Sequence, residues 1–251
     1  MRKHIYLFFI ITLVGCSNTE EVIEQSAEEK LLLVNNFIKE EKYLEAIEEL
    51  KILRIQYPAS SFADSVQFMI AECRFFREEY LLASGEYDQL IMNMPTSNFA
   101  NNAKYKKALS YFFISPKSSL DQKYTLQAID NFQLFLETAT ADSNSRLAEN
   151  HILELNNKLA KKIYESAEIY SVMGFNKAAT IYYNLVLDKF PDSEIAELSQ
   201  IKKIKILIKR KQFENAEREV SYFKEKYPNS KYGTEANDYT ETIFNLKKDV
   251  K

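Results

Sequence analysis

The sequence predicts an all-α protein, a superhelical array of about five helical hairpins closed by a C-terminal capping helix. Three observations lead to this prediction. Only 4 Gly and 5 Pro occur in 251 residues, so turns are few and helices are long. Apolar residues make up 46% of the chain and aromatic residues 13%, which is enough to pack a large core. Small residues, aromatics and prolines recur at constant spacing, which is typical of repeat proteins.

The spacing is clearest in the fourth repeat. Ala167 and Ala179 are 12 residues apart, and Pro191 follows after 12 more. Gly174, between the two alanines, can take the positive φ of a helix C-cap. Small residues let two antiparallel helices approach closely, and nearby aromatic side chains fill the space between neighbouring pairs. This is the tetratricopeptide pattern, a hairpin unit of about 34 residues.

The first two repeats follow the same pattern. Repeat one is predicted over residues 28–61 and repeat two over residues 62–97. Pro58 and Pro95 end their second helices and lie 37 residues apart, so we expect longer turns between repeats than in a standard unit. In repeat two, Ala71, Ala83 and Pro95 reproduce the spacing of 12 and 12.

Repeat three departs from the pattern. Ala108 and Ala128 are 20 residues apart, which places about eight extra residues in the turn between the two helices. The inserted loop covers residues 115–121, and Thr140 stands where a closing proline is expected. Such a loop is either a functional site or a tolerated insertion, and the sequence leaves both readings open.

The second half of the chain begins with an unbroken segment. Residues 146–173 contain neither Gly nor Pro, which predicts one helix of roughly 42 Å joining repeats three and four. Repeat five ends at Pro228, and its first helix, residues 201–211, is strongly basic. Residues 231–248 are predicted to form the capping helix that repeat arrays need. We therefore divide the repeats into 28–140 and 141–251.

The N-terminus predicts a lipoprotein signal peptide over residues 1–15. Two basic residues precede a ten-residue apolar run over residues 5–14, which is too short to span a bilayer. Residues 13–16, Leu-Val-Gly-Cys, resemble the bacterial lipobox, so Cys16 is the expected lipidation site and residues 16–27 a flexible lipidated tether. The alternative is an ordinary signal peptide with a chance cysteine. Ser17, in place of the Asp linked to inner-membrane retention, favours the outer membrane. The acidic residues behind it leave surface export open, and the periplasmic face is the default expectation.

The sequence offers no catalytic constellation. His151 stands alone on the long helix, so we expect no metal site. No glycine-rich phosphate loop is present, and Cys73 reads as a small core residue. A net charge of −3 excludes a general nucleic-acid binder. We therefore predict a non-enzyme without cofactor, apart from the covalent lipid on Cys16.

Two surfaces remain as candidate binding sites. First helices of such arrays line a concave groove, and the small residues place aromatic and polar side chains near it. The predicted peptide-binding residues are Phe68, Glu72, Phe75, Tyr105, Leu109 and Phe112, with Leu31, Asn35, Ile38 and Phe76 beside them. The alternative is that each packs in the core. The basic helix is predicted to bind a partner through Lys202, Lys203, Lys205, Lys209 and Arg210. The alternative is a solvated face balanced by glutamates.

The lipobox followed by five such repeats, the third one broken, resembles the BamD family of outer-membrane assembly lipoproteins, also called ComL or YfiO. The closest local similarity is Lys158-Leu159-Ala160 leading into Tyr164, Ala167, Glu168 and Tyr170, then Gly174 and the turn at Pro191. The absent proline at Thr140 departs from the family pattern.

This resemblance implies a subunit of the β-barrel assembly machine on the periplasmic face of the outer membrane. The N-terminal repeats would receive the signal strand of unfolded outer-membrane barrel proteins. The C-terminal repeats, including the basic helix, would dock on the POTRA domains of a BamA-like barrel protein. The membrane itself would be reached through the lipid anchor.

Three other readings stay open at this stage. The first is a generic periplasmic tetratricopeptide lipoprotein that serves as an adaptor for peptidoglycan or envelope-division enzymes. The second is a glycan-binding protein of the SusD kind, but such chains are longer and carry Trp, and Trp is absent here. The third is a lipid-anchored enzyme, which the lack of a catalytic constellation disfavours.

Overall fold

The computed structural model describes residues 26–139 and 143–248, without the side chain of Ser143. These residues form eleven α-helices and no strand: α1 Ala27–Lys39, α2 Tyr43–Gln56, α3 Ala63–Phe76, α4 Tyr80–Asn93, α5 Ala100–Phe113, α6 Lys123–Leu136, α7 Ser143–Val172, α8 Asn176–Lys189, α9 Ala196–Lys209, α10 Phe213–Lys226 and α11 Gly233–Lys248. Cys16, the signal peptide and Thr140 lie outside the described residues.

Consecutive helices pair as hairpins, and the predicted small residues lie where they cross. The alanines that mark the second helices are Ala46, Ala83, Ala128, Ala179 and Ala216, and all five are fully buried. A methyl group at a helix crossing lets two backbones approach, and larger neighbours then interdigitate around it. The predicted all-α array of five hairpins with a final capping helix is confirmed.

Helix boundaries differ from the predicted ones by a few residues. The long helix is α7 over Ser143–Val172, and the basic helix is α9 over Ala196–Lys209. The capping helix begins at Gly233. The first helix begins inside the predicted tether, because the Ser26 hydroxyl accepts from the Glu29 N–H at 3.2 Å and the Glu29 carboxylate accepts from the Ser26 N–H at 3.0 Å. This reciprocal capping fixes the helix start.

The turn inside a hairpin has a recurring backbone conformation. Gly174 has φ +80°, as its position after a first helix predicts. The equivalent turn residues of repeats one, two and five are Glu41, Glu78 and Lys211, with φ of 58°, 60° and 56°. A left-handed residue at this point ends the first helix and turns the chain into the second.

The inserted loop of repeat three, residues 114–122, packs against α7. Lys158 Nζ donates to Ser115 Oγ at 2.9 Å, and Lys162 Nζ donates to the Leu120 carbonyl at 2.5 Å. The buried Gln122 amide donates to the loop carbonyls of Lys117 and Leu120 at 2.8 and 2.9 Å. The loop therefore closes on itself and joins the third repeat to the long helix.

The two halves of the array share one triad of a tyrosine, a glutamate and a lysine. In the first half the Tyr87 hydroxyl donates to Glu72, and Lys106 Nζ lies 3.1 Å from the same carboxylate. In the second half, 96 residues later, Tyr183 donates to Glu168, and Lys202 Nζ lies 3.9 Å from it. Residues 62–114 and 158–210 therefore occupy equivalent places, which allows position-by-position comparison of the halves.

A buried ionic cluster joins α2, α3 and α4. Glu86 is only 9% exposed. Its carboxylate accepts from Arg54 Nη1 at 3.0 Å, from Arg74 Nε at 3.2 Å and from Gln67 Nε2 at 2.9 Å. Because a buried carboxylate is costly unless it is paired, this cluster fixes the packing of the first two repeats.

Candidate functional site

One edge of the first three repeats is lined by aromatic rings. First helices end and second helices begin there, and the rings are Tyr43, Phe75, Phe76, Tyr80, Phe112 and Phe113; we call them the aromatic edge. Tyr43 stacks on Phe76 with ring centroids 5.5 Å apart, and Tyr80 stacks on Phe113 at 4.9 Å. Phe75 joins the two pairs, at 6.2 Å from Phe76 and 5.7 Å from Phe113.

The outer rings of this edge are open to solvent. Phe76 is 54% exposed and Phe113 is 49% exposed. The ammonium of Lys106 lies 4.7 Å from the Phe75 centroid and 5.7 Å from that of Phe76. Glu72 holds this lysine in place and is itself held by Tyr87. Burial, and then the Glu72 charge, raise the pKa of Tyr87, so the hydroxyl keeps its proton. The edge thus combines exposed ring faces with one fixed cation.

The predicted groove residues fall into two groups. Glu72, Phe75 and Phe112 belong to the aromatic edge or its support. Phe68 instead stacks on Phe99 at 4.9 Å, and Leu109 is partly buried against the core around α6.

Tyr105 lies in the core and presents little surface to a ligand. It is 7% exposed and packs on Phe132 and Phe135 with centroids 6.0 and 5.4 Å away. Its helix is rotated so that this position faces α6 within the hairpin. Of the further candidates, Leu31 and Ile38 pack against the core of repeat one, while Asn35 is exposed.

His151 lies where the two halves meet. Its ring is stacked at 5.3 Å on Phe132 and lies 4.3 Å from Phe112. Burial lowers the pKa of this imidazole, and the Glu154 carboxylate on the same helix opposes that effect. The neutral ring therefore packs as an aromatic residue. Among residues 26–139 and 143–248, no group of three or more His, Cys, Asp or Glu is placed to hold a metal.

This packing predicts a pH dependence of stability. The folded-state pKa of His151 lies below its unfolded value, so the unfolded chain binds more protons as pH falls through about 6.5. The contribution of His151 is complete above that pH and decreases below it. We expect urea unfolding to show a smaller loss between pH 7.5 and 5.5 for His151→Phe than for the wild type. Equal losses for both proteins would contradict this role. Titration of the carboxylates affects the wild type and the variant alike, so it does not contribute to the difference between them.

The turn between α7 and α8 exposes a second apolar surface. Ile169, Val172, Met173 and Phe175 are 61%, 86%, 61% and 55% exposed; we call them the hairpin tip. Arg210 of the next repeat lines a depression of about 430 Å³ together with residues 174–178 of the tip. The tip is therefore an apolar surface with a cation at its margin.

The predicted basic residues do not form a single face. Lys203 Nζ is paired with Glu219 at 2.7 Å, and Lys202 belongs to the triad with Glu168. Lys205 and Lys209 are exposed and have no partner among the residues that the structure describes. Arg210 and the exposed Lys177, which both line the depression, join these two lysines as cations available to a partner near the hairpin tip.

Several residues of both surfaces escaped the sequence analysis. Tyr43 and Tyr80 are 37 residues apart, as are Phe76 and Phe113. This spacing equals that of the closing prolines. The recurrence of aromatic residues at the same place in successive repeats could therefore have predicted the aromatic edge. The hairpin tip carried no such signal, because its aliphatic residues resemble core residues of an amphipathic helix.

The fold defines a helical-repeat protein of the tetratricopeptide class. No helix within residues 26–139 and 143–248 combines the length and apolar character needed to cross a membrane. Residues 26–207 match the profile of the YfiO family, described as an outer membrane lipoprotein. This match covers well over half of the chain, and the chain belongs to the YfiO outer membrane lipoprotein family.

Other comparisons give only distant likenesses. The TPR2AB domain of yeast Sti1, solved in complex with pHSP90, is 14% identical with a TM-score of 0.38, over 86% of this chain and 96% of that one. A tetratricopeptide repeat protein from Parabacteroides merdae is 14% identical with a TM-score of 0.28, over 86% of this chain and 98% of that one. Neither likeness bears on function. No curated protein matches the sequence significantly.

Proposed function

We propose that the protein is a non-catalytic, lipid-anchored subunit of the β-barrel assembly machinery on the periplasmic face of the outer membrane. The proposal rests on membership of the YfiO family over residues 26–207. Cys16 would carry the acyl chains, since several chains on one residue make a stable anchor. The folded array would then work close to the membrane, because residues 17–25 span at most roughly 30 Å.

The aromatic edge is the proposed receiving surface for unfolded outer-membrane barrel segments. An extended strand presents alternate side chains to one face, and exposed rings at Phe76 and Phe113 offer flat apolar partners for them. Aromatic pairs contribute about 0.5–1.5 kcal/mol beyond their burial. Lys106 adds a cation for an acidic or terminal carboxylate group of the segment.

The hairpin tip, with Lys205, Lys209 and Arg210, is the proposed docking surface for the POTRA domains of a BamA-like barrel protein. The observation that favours this placement is the coincidence of four exposed apolar side chains with exposed lysines that lack a partner among the described residues. An apolar centre with a charged rim is the usual anatomy of a protein interface.

One experiment with two surface variants tests both assignments. The lipoprotein is purified from detergent-solubilised outer membrane, its partners are quantified by mass spectrometry, and its binding to a C-terminal barrel peptide is measured. We expect Phe76→Ser with Phe113→Ser to weaken peptide binding at least tenfold and leave BamA recovery unchanged. Val172→Asp with Lys209→Glu should do the reverse. Phe244→Ser is the control, because Phe244 is an equally exposed ring, at 58%, far along the chain.

The same experiment also tests the alternative function, that of an adaptor for peptidoglycan or envelope-division enzymes. If the wild-type lipoprotein recovers peptidoglycan or envelope-division enzymes in place of a POTRA-bearing barrel protein, the adaptor reading replaces the assembly reading. If each double variant behaves as the wild type, the two surfaces are wrongly assigned even where the complex is recovered.

A further inference from the structure

A third exposed surface lies on the second helices of the first three repeats. Its members are Leu44 and Ile55 on α2, Leu81, Leu82 and Met92 on α4, and Leu126 on α6. These side chains are between 48% and 77% exposed. We call them the outer belt; none of them belongs to the aromatic edge or the hairpin tip.

The outer belt follows the register of the repeats. Leu44 and Leu81 are 37 residues apart, and so are Ile55 and Met92. Leu126 precedes Ala128 by two residues, just as Leu81 precedes Ala83. Successive second helices therefore present an aliphatic side chain at the same place, and the exposed residues line up across neighbouring repeats.

The second half of the chain shows that the fold does not require these residues. At the places equivalent to Leu44 and Leu81, α8 has Lys177 and α10 has Glu214. At those of Ile55 and Met92, the same helices have Asp188 and Glu225. Because extended exposed apolar patches are rare on soluble surfaces and mark interaction sites, the belt is best explained by a partner.

The charges around the belt restrict the kind of partner. Helices α2, α4 and α6 carry three exposed carboxylates, Glu45, Glu48 and Asp130, against one exposed lysine, Lys123, and one half-buried lysine, Lys51, without an ion pair in the part of the chain that the structure describes. Glu48 and Asp130 have no hydrogen-bond or ion-pair partner among the described residues, and Glu45 interacts with the charge of Lys42. Nearby Lys107 is already paired with Asp88 at 2.6 Å. The belt is therefore apolar with a net negative surround.

This charge distribution disfavours two otherwise plausible occupants. An anionic membrane surface would meet unpaired carboxylates of its own sign. A second copy of this chain, placed belt to belt, would bring the same carboxylates together. Lysine or arginine side chains on a partner protein would instead be attracted to the carboxylates of Glu45, Glu48 and Asp130.

We propose that the outer belt binds an amphipathic segment of a partner protein that carries aliphatic side chains on one face and lysine or arginine beside them. A depression of about 280 Å³ between α4 and α6, lined in part by Ile91 and Leu134, can accept one of the aliphatic side chains. Two lysines line that depression. Lys104 donates to the Thr138 hydroxyl at 2.9 Å, and Lys107 is paired with Asp88 at 2.6 Å.

The first test is a binding titration on the full mature chain. The probe is a fluorescein-labelled, 18-residue amphipathic helix of leucine and lysine, followed by anisotropy; the control peptide replaces every lysine by glutamate. We expect the lysine peptide to bind, and Leu81→Asn with Leu82→Asn to weaken it at least tenfold. Ile181→Asn is the matched control, since Ile181 is 65% exposed on the equivalent helix α8. It should bind as the wild type does.

Two further arms separate this surface from the other occupants and from the proposed function. Phosphatidylglycerol vesicles should not bind through the belt, and Phe76→Ser with Phe113→Ser should leave the lysine peptide unaffected. A photo-crosslinking residue at position 82 in cells should yield an adduct whose mapped partner segment is apolar and basic. Equal binding of the glutamate peptide, loss of binding with the Phe variants, or an adduct with lipid or with a second copy would each overturn the proposal.

Discussion

Replacing Phe132 by alanine is expected to lower the free energy of unfolding by about 4 kcal/mol, the middle of the range for a fully buried Phe. Phe132 is 0% exposed and contacts Tyr105, Phe112 and His151 from α6. Phe112 of α5 and His151 of α7 also contact each other, so the three rings form one cluster that joins α5, α6 and α7, with Phe132 as its fully buried member. The cavity would therefore open at the junction between the two halves.

Urea unfolding followed by circular dichroism measures this loss, and Phe244→Ala is the matched control. Phe244 is 58% exposed, so its removal should change stability by less than about 1 kcal/mol. Hydrogen exchange provides a second readout, because amides in the first half of α7 should lose protection more than those of α1. A small loss with uniform exchange would mean that the junction relaxes to fill the space.

Replacing Glu86 by alanine is expected to cost about 3 kcal/mol. The substitution leaves Arg54 and Arg74 facing each other without their shared carboxylate, and breaking a buried ionic cluster costs about 3–5 kcal/mol. We take the lower end because the Arg54 side chain is 36% exposed and partly solvated. The comparison is with Glu48→Ala, since Glu48 is exposed and has no partner among the described residues.

Urea unfolding of Glu86→Ala, Glu86→Gln and Glu48→Ala measures the contribution of the cluster to the free energy of unfolding. Glu48→Ala should stay within about 0.5 kcal/mol of the wild type. Glu86→Gln should fall between the wild type and Glu86→Ala, because it keeps hydrogen bonding but loses the charge. If Glu86→Ala and Glu48→Ala are equally stable, the arginines find water in place of the carboxylate and the cluster contributes little.

The hairpin array could be predicted because its signal is local and repeated. Ala83 and Pro95, like Ala179 and Pro191, report directly on a helix crossing and a turn. The groove was harder to predict, since residues that face the concave side and residues that face the partner helix are only one or two positions apart within a turn. Tyr105 and Phe113 illustrate this, because the first is buried against α6 and the second is half exposed at the aromatic edge.

Contacts between distant segments could not be predicted from spacing. Lys158 was identified through a family resemblance, but its hydrogen bond to Ser115 joins residues 43 apart. Lys202 and Lys203 seemed equivalent on a basic helix, yet each is matched to a carboxylate on a different neighbouring helix. Such pairings depend on how successive hairpins rotate against each other, which no single repeat encodes.

The uninterrupted course of α7 has a mechanical consequence. Its 30 residues make a rod of about 45 Å, packed on the third repeat at one end and ending at the hairpin tip at the other. A rod of that length converts a rotation of about ten degrees at its first turn into a displacement of roughly 8 Å at its last. The Phe132 ring cluster meets this rod at His151, and the inserted loop holds it further along at Lys158 and Lys162. The stiffness of these two contacts together sets how accurately the two ends of the molecule are held apart.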